Sequence, residues 1–379
     1  MGTVMRVRGG GGGGGSGTLY GFDFTAMTSP QLLAAGWSIS RDNAIWVPDR
    51  AGDDAEIASG VMAQSDLGVM CFGGFENVCP NGLMTGAVAG SPGTKPTGWF
   101  NLGTEQASLA ATTVNGLPAI TIVHDGTAEQ DYPYTAQFVA LTAAQIYSFA
   151  AVARSTVAVS QLLAYGYGAG EVTGAAFTSA GLQKLENRTR GADGNIALGF
   201  VRQPSAELTI AAPQAVRDLA ICPHVFSLSS AASTVTASQI PVLSRVTPGE
   251  CSFVLPVVTS PGRKGTNDVI ASASLDANNQ LLVIHEEADN NILLRLVTSG
   301  TTVGERDLGV VGDNVYTVIR GSVSTGRLAG ALDGMEDMLE ATGSGIIPPP
   351  YFERWTLGND HAQAAATQFW GSVLGLRIN

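Results

Sequence analysis

Short apolar stretches with alternating polar positions, broken by turn residues, recur along most of this chain and predict β-strands rather than helices. In the first half the strand candidates are Ala119–Val123, Tyr134–Val139, Ile146–Ala153, Gln161–Tyr167, Ala206–Ile210 and His224–Ser229. Pro118 suits the start of the first of these, where a missing N–H costs least. Thr142–Gln145 reads as the polar turn between the second and third. In the second half the candidates are Ser252–Val258, Asp268–Leu275, Gln280–Glu286, Asn291–Thr298, Thr301–Leu308, Tyr316–Arg320, Arg327–Leu332, Glu353–Leu357 and Phe369–Arg377. Asp276–Asn279 and Asp289–Asn291 between them favour positive φ and tight hairpins. Pro348–Pro350 predicts an exposed crossing loop.

The beginning of the chain differs. Gly9 to Gly15 are consecutive glycines, which build no core and read as a tether, with Arg6 and Arg8 before them. From Tyr20 to Gly82 the apolar pieces are short, and only Pro30–Ala35 reads as a helical turn. That stretch is expected to be strand-poor and to pack on the module downstream of it. The predicted organisation is a Gly-rich anchor (residues 1–17), a small lead segment (18–82), a first sandwich (83–246) and a second sandwich (247–379). The fold class is all-β: tandem antiparallel β-sandwiches of jelly-roll type.

Composition narrows the function. The 379 residues are 45% apolar and 14% charged, and 48 are Gly, which suits well-buried sheets joined by tight turns. A net charge of −12 repels a phosphate backbone and argues against nucleic acid. No apolar run reaches the length of a membrane span, and MGTVMRVR has no secretory character, so synthesis in the cytosol is expected. Cys71, Cys79, Cys222 and Cys251 match no zinc or redox spacing. They read as small buried hydrophobes, and Cys71–Cys79 or Cys222–Cys251 pairs would require an oxidising setting.

Three stretches carry a family resemblance. Tyr20–Thr25 (YGFDFT), Gly36–Arg41 (GWSISR) and Phe75–Asn81 (FENVCPN) together resemble the lead segment of phage head-spike and fibre proteins, with Val78–Cys79 where two leucines are usual. Asn81–Trp99 (NGLMTGAVAGSPGTKPTGW) resembles the opening of a carbohydrate-binding-like jelly-roll module common in phage tail and spike proteins. Trp355–Asp360 (WTLGND) and Phe369–Arg377 (FWGSVLGLR) resemble the close of concanavalin A-like and laminin-G-like sandwiches. The resemblance implies a bacteriophage virion surface protein, assembled in the bacterial cytoplasm. Its N-terminus (Arg6, Arg8, Gly9) would dock on other virion proteins, and avidity would favour a homo-oligomer such as a trimer. Host surface polysaccharide is the expected partner.

Sugar sites on sandwiches combine aromatic rings with side chains that fix hydroxyls. The candidates are Tyr132, Tyr134, Tyr165 and Tyr167 in the first sandwich, and Tyr351, Arg354, Asn359, Asp360 and His361 in the second. Trp99 and Trp370 read as core. No cofactor is expected. Calcium is the one ion weighed, through Asp276 and Asn278 or Asp289 and Asn290. No catalytic residues are assigned: Glu286 and Glu287 are adjacent and face opposite ways on a strand, and His124, His224, His285 and His361 lie apart. The alternatives are a structural decoration protein without glycan binding and a polysaccharide depolymerase.

Overall fold

The computed structural model describes residues 20–41, 44–49, 53–72, 74–102, 106–124, 134–157, 161–166, 171–201, 206–217, 226, 228, 233–235, 240–259, 267–286, 288–312, 315–362, 369 and 371–379. Within them the chain is almost entirely antiparallel sheet, with one short helix at Ser29–Ala34. Two sandwiches are present, each with its own core.

The larger sandwich has a nine-stranded sheet facing a seven-stranded one. Strand Cys251–Thr259 shows why it forms: Cys251, Phe253, Leu255 and Val257 point into the core, and the residues between them point out. It pairs with Tyr316–Ser324 on one side and with Gly371–Val373 and Gly375–Ile378 on the other. Gly321 is required opposite Phe253, because a Cβ there would lie 2.2 Å from the ring. The facing sheet runs through hairpins from Asn267–Asp276 to Thr301–Val310 and contributes Ile270, Leu281, Val283 and Leu294 to the same core.

Residues before position 72 complete these two sheets. Tyr20–Asp23 pairs with Gly375–Ile378, Gly68–Cys71 with Gly371–Val373, and Trp37–Ser40 with Ile240–Leu243. The stretch expected to be strand-poor therefore supplies strands throughout, each too short to show its period alone.

The smaller sandwich has a seven-stranded sheet containing Gln106–Val114, Leu117–His124, Ile146–Ser155, Gly181–Thr189 and Glu207–Arg217. Facing it is a five-stranded sheet in the order Glu171–Thr173, Gln161–Tyr165, Gly194–Val201, Tyr134–Leu141, Trp99–Leu102. Phe149, Leu162, Leu198, Phe200 and Ile210 fill the space between, and Trp99 is buried with them, as expected. Asn81 explains the loop that begins at it. Its amide donates to the Thr85 and Thr97 carbonyls (3.1 and 3.0 Å) and accepts from the Thr85 amide (3.0 Å), closing residues 81–97 on themselves.

The outer side of the seven-stranded sheet is covered. Hairpin Ile45–Pro48/Asp54–Ile57 lays Ile45 and Val47 against Ala150 and Val216, with Phe72 and Phe75 in the same cluster. Trp46 packs on Val114, Leu117 and Phe226, and exchanges backbone hydrogen bonds with Phe226 (2.9 and 2.8 Å). Residues 20–72 thus tie the two sandwiches together.

One local expectation changes, and the reading of the cysteines as buried hydrophobes holds for the three that are described. Pro348 and Pro349 are buried rather than exposed, with the Pro349 carbonyl against Gly249, while Pro350 is exposed as expected. Cys71, Cys79 and Cys251 are free and buried, and Cys71 and Cys79 lie in different cores, which leaves them unpaired. Burial raises all three thiols, Cys79 and Cys251 to about 12. Cys222 and Trp370 lie outside the described residues.

Candidate functional site

The seven-stranded sheet of the smaller sandwich is covered by the hairpin, and the outer side of its five-stranded sheet carries a small buried cluster (Ala136, Leu163, Ala197, Val201) with exposed aromatic rings beside it. Alternation assigns that side. On Tyr134–Leu141, Val139 and Leu141 enter the core, so Ala136 and Phe138 face out. On Gly194–Val201 and Gln161–Tyr165 the outward residues include Ala197 and Tyr165.

The pairing register then aligns three of these residues. Tyr165 is opposite Ala197, and Ala197 is opposite Phe138, so the three form one row across successive strands. Phe138 is 57% exposed and Tyr165 47%, whereas Ala197 between them is 4% exposed and rises no further than its methyl. Phe100, one row away, stacks on Phe138 with centroids 4.5 Å apart and planes 25° from parallel. Neighbouring strands lie about 4.8 Å apart, so the Tyr165 and Phe138 backbones are about 9.6 Å apart. Exposed aromatic surface in such a row is a stacking platform for a ligand with flat apolar faces.

The inner side of the same strands carries the polar groups. Thr135 Oγ1 donates to Asn101 Oδ1 (2.8 Å), and Gln137 Nε2 donates to Cys79 Sγ (3.0 Å). These bonds anchor the strands that present Phe100 and Phe138.

Of the tyrosines read from sequence, Tyr165 lies on this platform. Tyr134 begins a strand of the same sheet, two residues from Ala136, and Tyr132 and Tyr167 lie outside the described residues. Phe100 and Phe138 went unnoticed in the sequence because each lies in a run with apolar residues on both sides of the strand.

No protein-family model matches this chain, and no curated protein does. Several solved structures overlap part of it. A CBM40 module of a Ruminococcus gnavus sialidase, bound to α2,3-sialyllactose, has a TM-score of 0.29 at 12% identity, covering 35% of this chain and 76% of its own. Domain 4 of the Geobacillus stearothermophilus arabinanase AbnA, with arabinotriose, has a TM-score of 0.29 at 19% identity, covering 39% and 70%. The Bacillus subtilis module CBM66 has a TM-score of 0.24 at 12% identity, covering 36% and 77%. These likenesses are partial and assign this chain no ligand.

The larger sandwich gathers several of the polar candidates at one end of its seven-stranded sheet. Ser274 pairs with Arg354 in the ladder. Arg354 donates to the His361 carbonyl, the His361 amide donates to Gln280 Oε1 (3.0 Å), and His361 Nδ1 lies 3.1 Å from Ser274 Oγ. Partial burial, then Arg354, lowers the His361 pKa, and Asp276, Asp360 and Glu353 oppose this. Asn359 is fully buried, and its carbonyl accepts from Ser272 Oγ (3.0 Å), so it supports the turn from within. Tyr351 is 39% exposed on a separate short ladder with Pro248.

Asp276 caps its own hairpin. Its carboxylate accepts from the Asn278 amide (2.8 Å) and the Asn279 side chain (2.9 and 3.0 Å), which lowers its pKa. Asp289 and Asn290 form the turn at the other end of Asn279–Glu286, about 26 Å away by strand rise. The two proposed calcium pairs therefore belong to separate turns. Among the described residues no three His, Cys, Asp or Glu side chains gather around one point. Arg6, Arg8 and Gly9 lie outside the described residues.

Proposed function

We propose that this chain is a surface-displayed adhesin that binds cell-surface glycan through the outer face of its five-stranded sheet, in the setting of a bacteriophage spike or fibre. The observation that carries the reading is the row Tyr165–Ala197–Phe138 with Phe100 stacked beside it. Two large aromatic rings, Phe138 and Tyr165, are about half exposed on the outer face of that sheet, beside the buried Ala136, Leu163, Ala197 and Val201. The role is binding rather than catalysis, and no metal or cofactor enters it. A site of this size binds weakly alone, and copies carried together on one particle convert weak contacts into firm attachment.

The test is binding of the purified chain to host bacteria and to their extracted surface polysaccharide, with reducing-end release assayed in the same samples. Saturable binding without sugar release, weakened in Phe138→Ala, is expected. Sugar release would replace the reading with a depolymerase, and absence of binding to either preparation would leave a decoration protein.

A further inference from the structure

Resting on that reading, we infer that the platform takes neutral pyranose units and rejects anionic sugars such as sialic and uronic acids. A sugar ring held between two aromatic faces needs about 3.5–4 Å of contact distance on each side, or about 7–8 Å in all. Strand spacing sets the Tyr165 and Phe138 backbones about 9.6 Å apart, and the intervening Ala197 adds only a methyl. One ring fits between them, with its apolar C–H faces against the aromatics.

Charge sets the sugar class. Carboxylate-bearing sugars are recognised by Arg or Lys, whose N–H donors match the carboxylate. Among the described side chains on this face, the amide of Asn195 lies two residues from Ala197 on the same side of its strand, and none of the face's residues is basic. Register sets Glu171 opposite Tyr165. Arg190 is 7% exposed and donates to the Gly166 carbonyl (2.8 Å) next to Tyr165. Its charge is used to hold the backbone that carries the tyrosine. With a net charge of −12, the field of the whole molecule also opposes an anion.

The experiment uses the full chain on an array or in titrations with maltotriose, cellotriose and mannotriose, against oligomeric α2,8-sialic acid and trigalacturonate, between 50 and 500 mM NaCl. The expected result is retention on at least one neutral oligosaccharide, none on the two anionic ones, and an affinity that changes less than about twofold across the salt range. Phe138→Ala and Tyr165→Ala should each weaken that binding by about tenfold. Preferential binding of an anionic oligosaccharide, or affinity that collapses with salt, would overturn the neutral-sugar inference and leave the adhesin reading standing. Binding to none of the five, with no binding to host polysaccharide, would overturn the adhesin reading itself.

Discussion

Truncation of Phe24 tests whether residues 20–72 are structural members of the larger sandwich. Phe24 is fully buried, and its amide donates to the Leu374 carbonyl at 2.9 Å. Its ring meets the Trp37 edge at 5.2 Å and 83°, and Phe22 meets the same indole at 5.4 Å and 84°. Phe22 and Trp37 lie on strands of opposite sheets, and Phe24 comes immediately after the first of these, so this aromatic group staples the sandwich from within one short segment. Removing a buried Phe ring costs about 3–5 kcal/mol, because the lost transfer energy adds to the cavity left behind. With an m-value of about 2 kcal/mol/M, the urea midpoint of Phe24→Ala should fall by about 1.5–2.5 M. The assay is equilibrium unfolding tracked by tryptophan fluorescence, since Trp37 and Trp355 both report on this core. A fall of less than about 0.3 M, the size of an ordinary surface substitution, would refute the packing argument.

Other perturbations act through single contacts. Gly249→Ala puts a Cβ 1.5 Å from the Pro349 carbonyl oxygen, a backbone atom that cannot swing aside, so a loss of at least about 2 kcal/mol is expected in urea unfolding. The lowered His361 pKa means that the folded state resists protonation. Its favourable contribution is complete above the unfolded value near 6.5 and declines as pH falls below it, through the folded pKa. The melting temperature of His361→Gln should therefore decline less than that of the native chain between pH 7 and pH 5, and parallel curves would contradict this. EDTA should leave the native melting temperature within about 1 °C. Calcium bound at a hundred times its Kd would contribute about 2.7 kcal/mol, so a drop of several degrees would reinstate a metal site in the hairpin turns.

Much of the framework was legible wherever strands alternate cleanly. Asn291–Thr298 begins and ends where the pattern placed it, and Cys251–Thr259 extends the expected Ser252–Val258 by a residue at each end. Several described strands escaped, and three of them show a local reason. Gln106–Val114 is a sheet-edge strand that buries little besides Leu109 and Val114, Gly181–Thr189 is mostly polar, and Gly194–Val201 is apolar on both sides with a glycine at its start. The contribution of residues 20–72 to distant sheets was invisible because pairing partners such as Tyr20 and Ile378 stand at opposite ends of the chain.

The candidate site was hidden for a different reason. In YTAQFVAL, hydropathy would send Phe138 inward and Thr135 and Gln137 outward, yet both polar residues are fully buried and the phenylalanine is exposed. What reverses the preference lies elsewhere in sequence: Asn101 accepts from Thr135, and Cys79 receives Gln137. Thr135 and Gln137 give up water for these partners, and Phe138 leaves its ring in it, an arrangement that burial alone would not select. A strand that breaks its local rule in this way is where a functional constraint is expected. Leaving a phenylalanine ring in water forgoes part of the 1.5–3 kcal/mol or so that burial would return, and a ligand that covers Phe138 recovers it on binding.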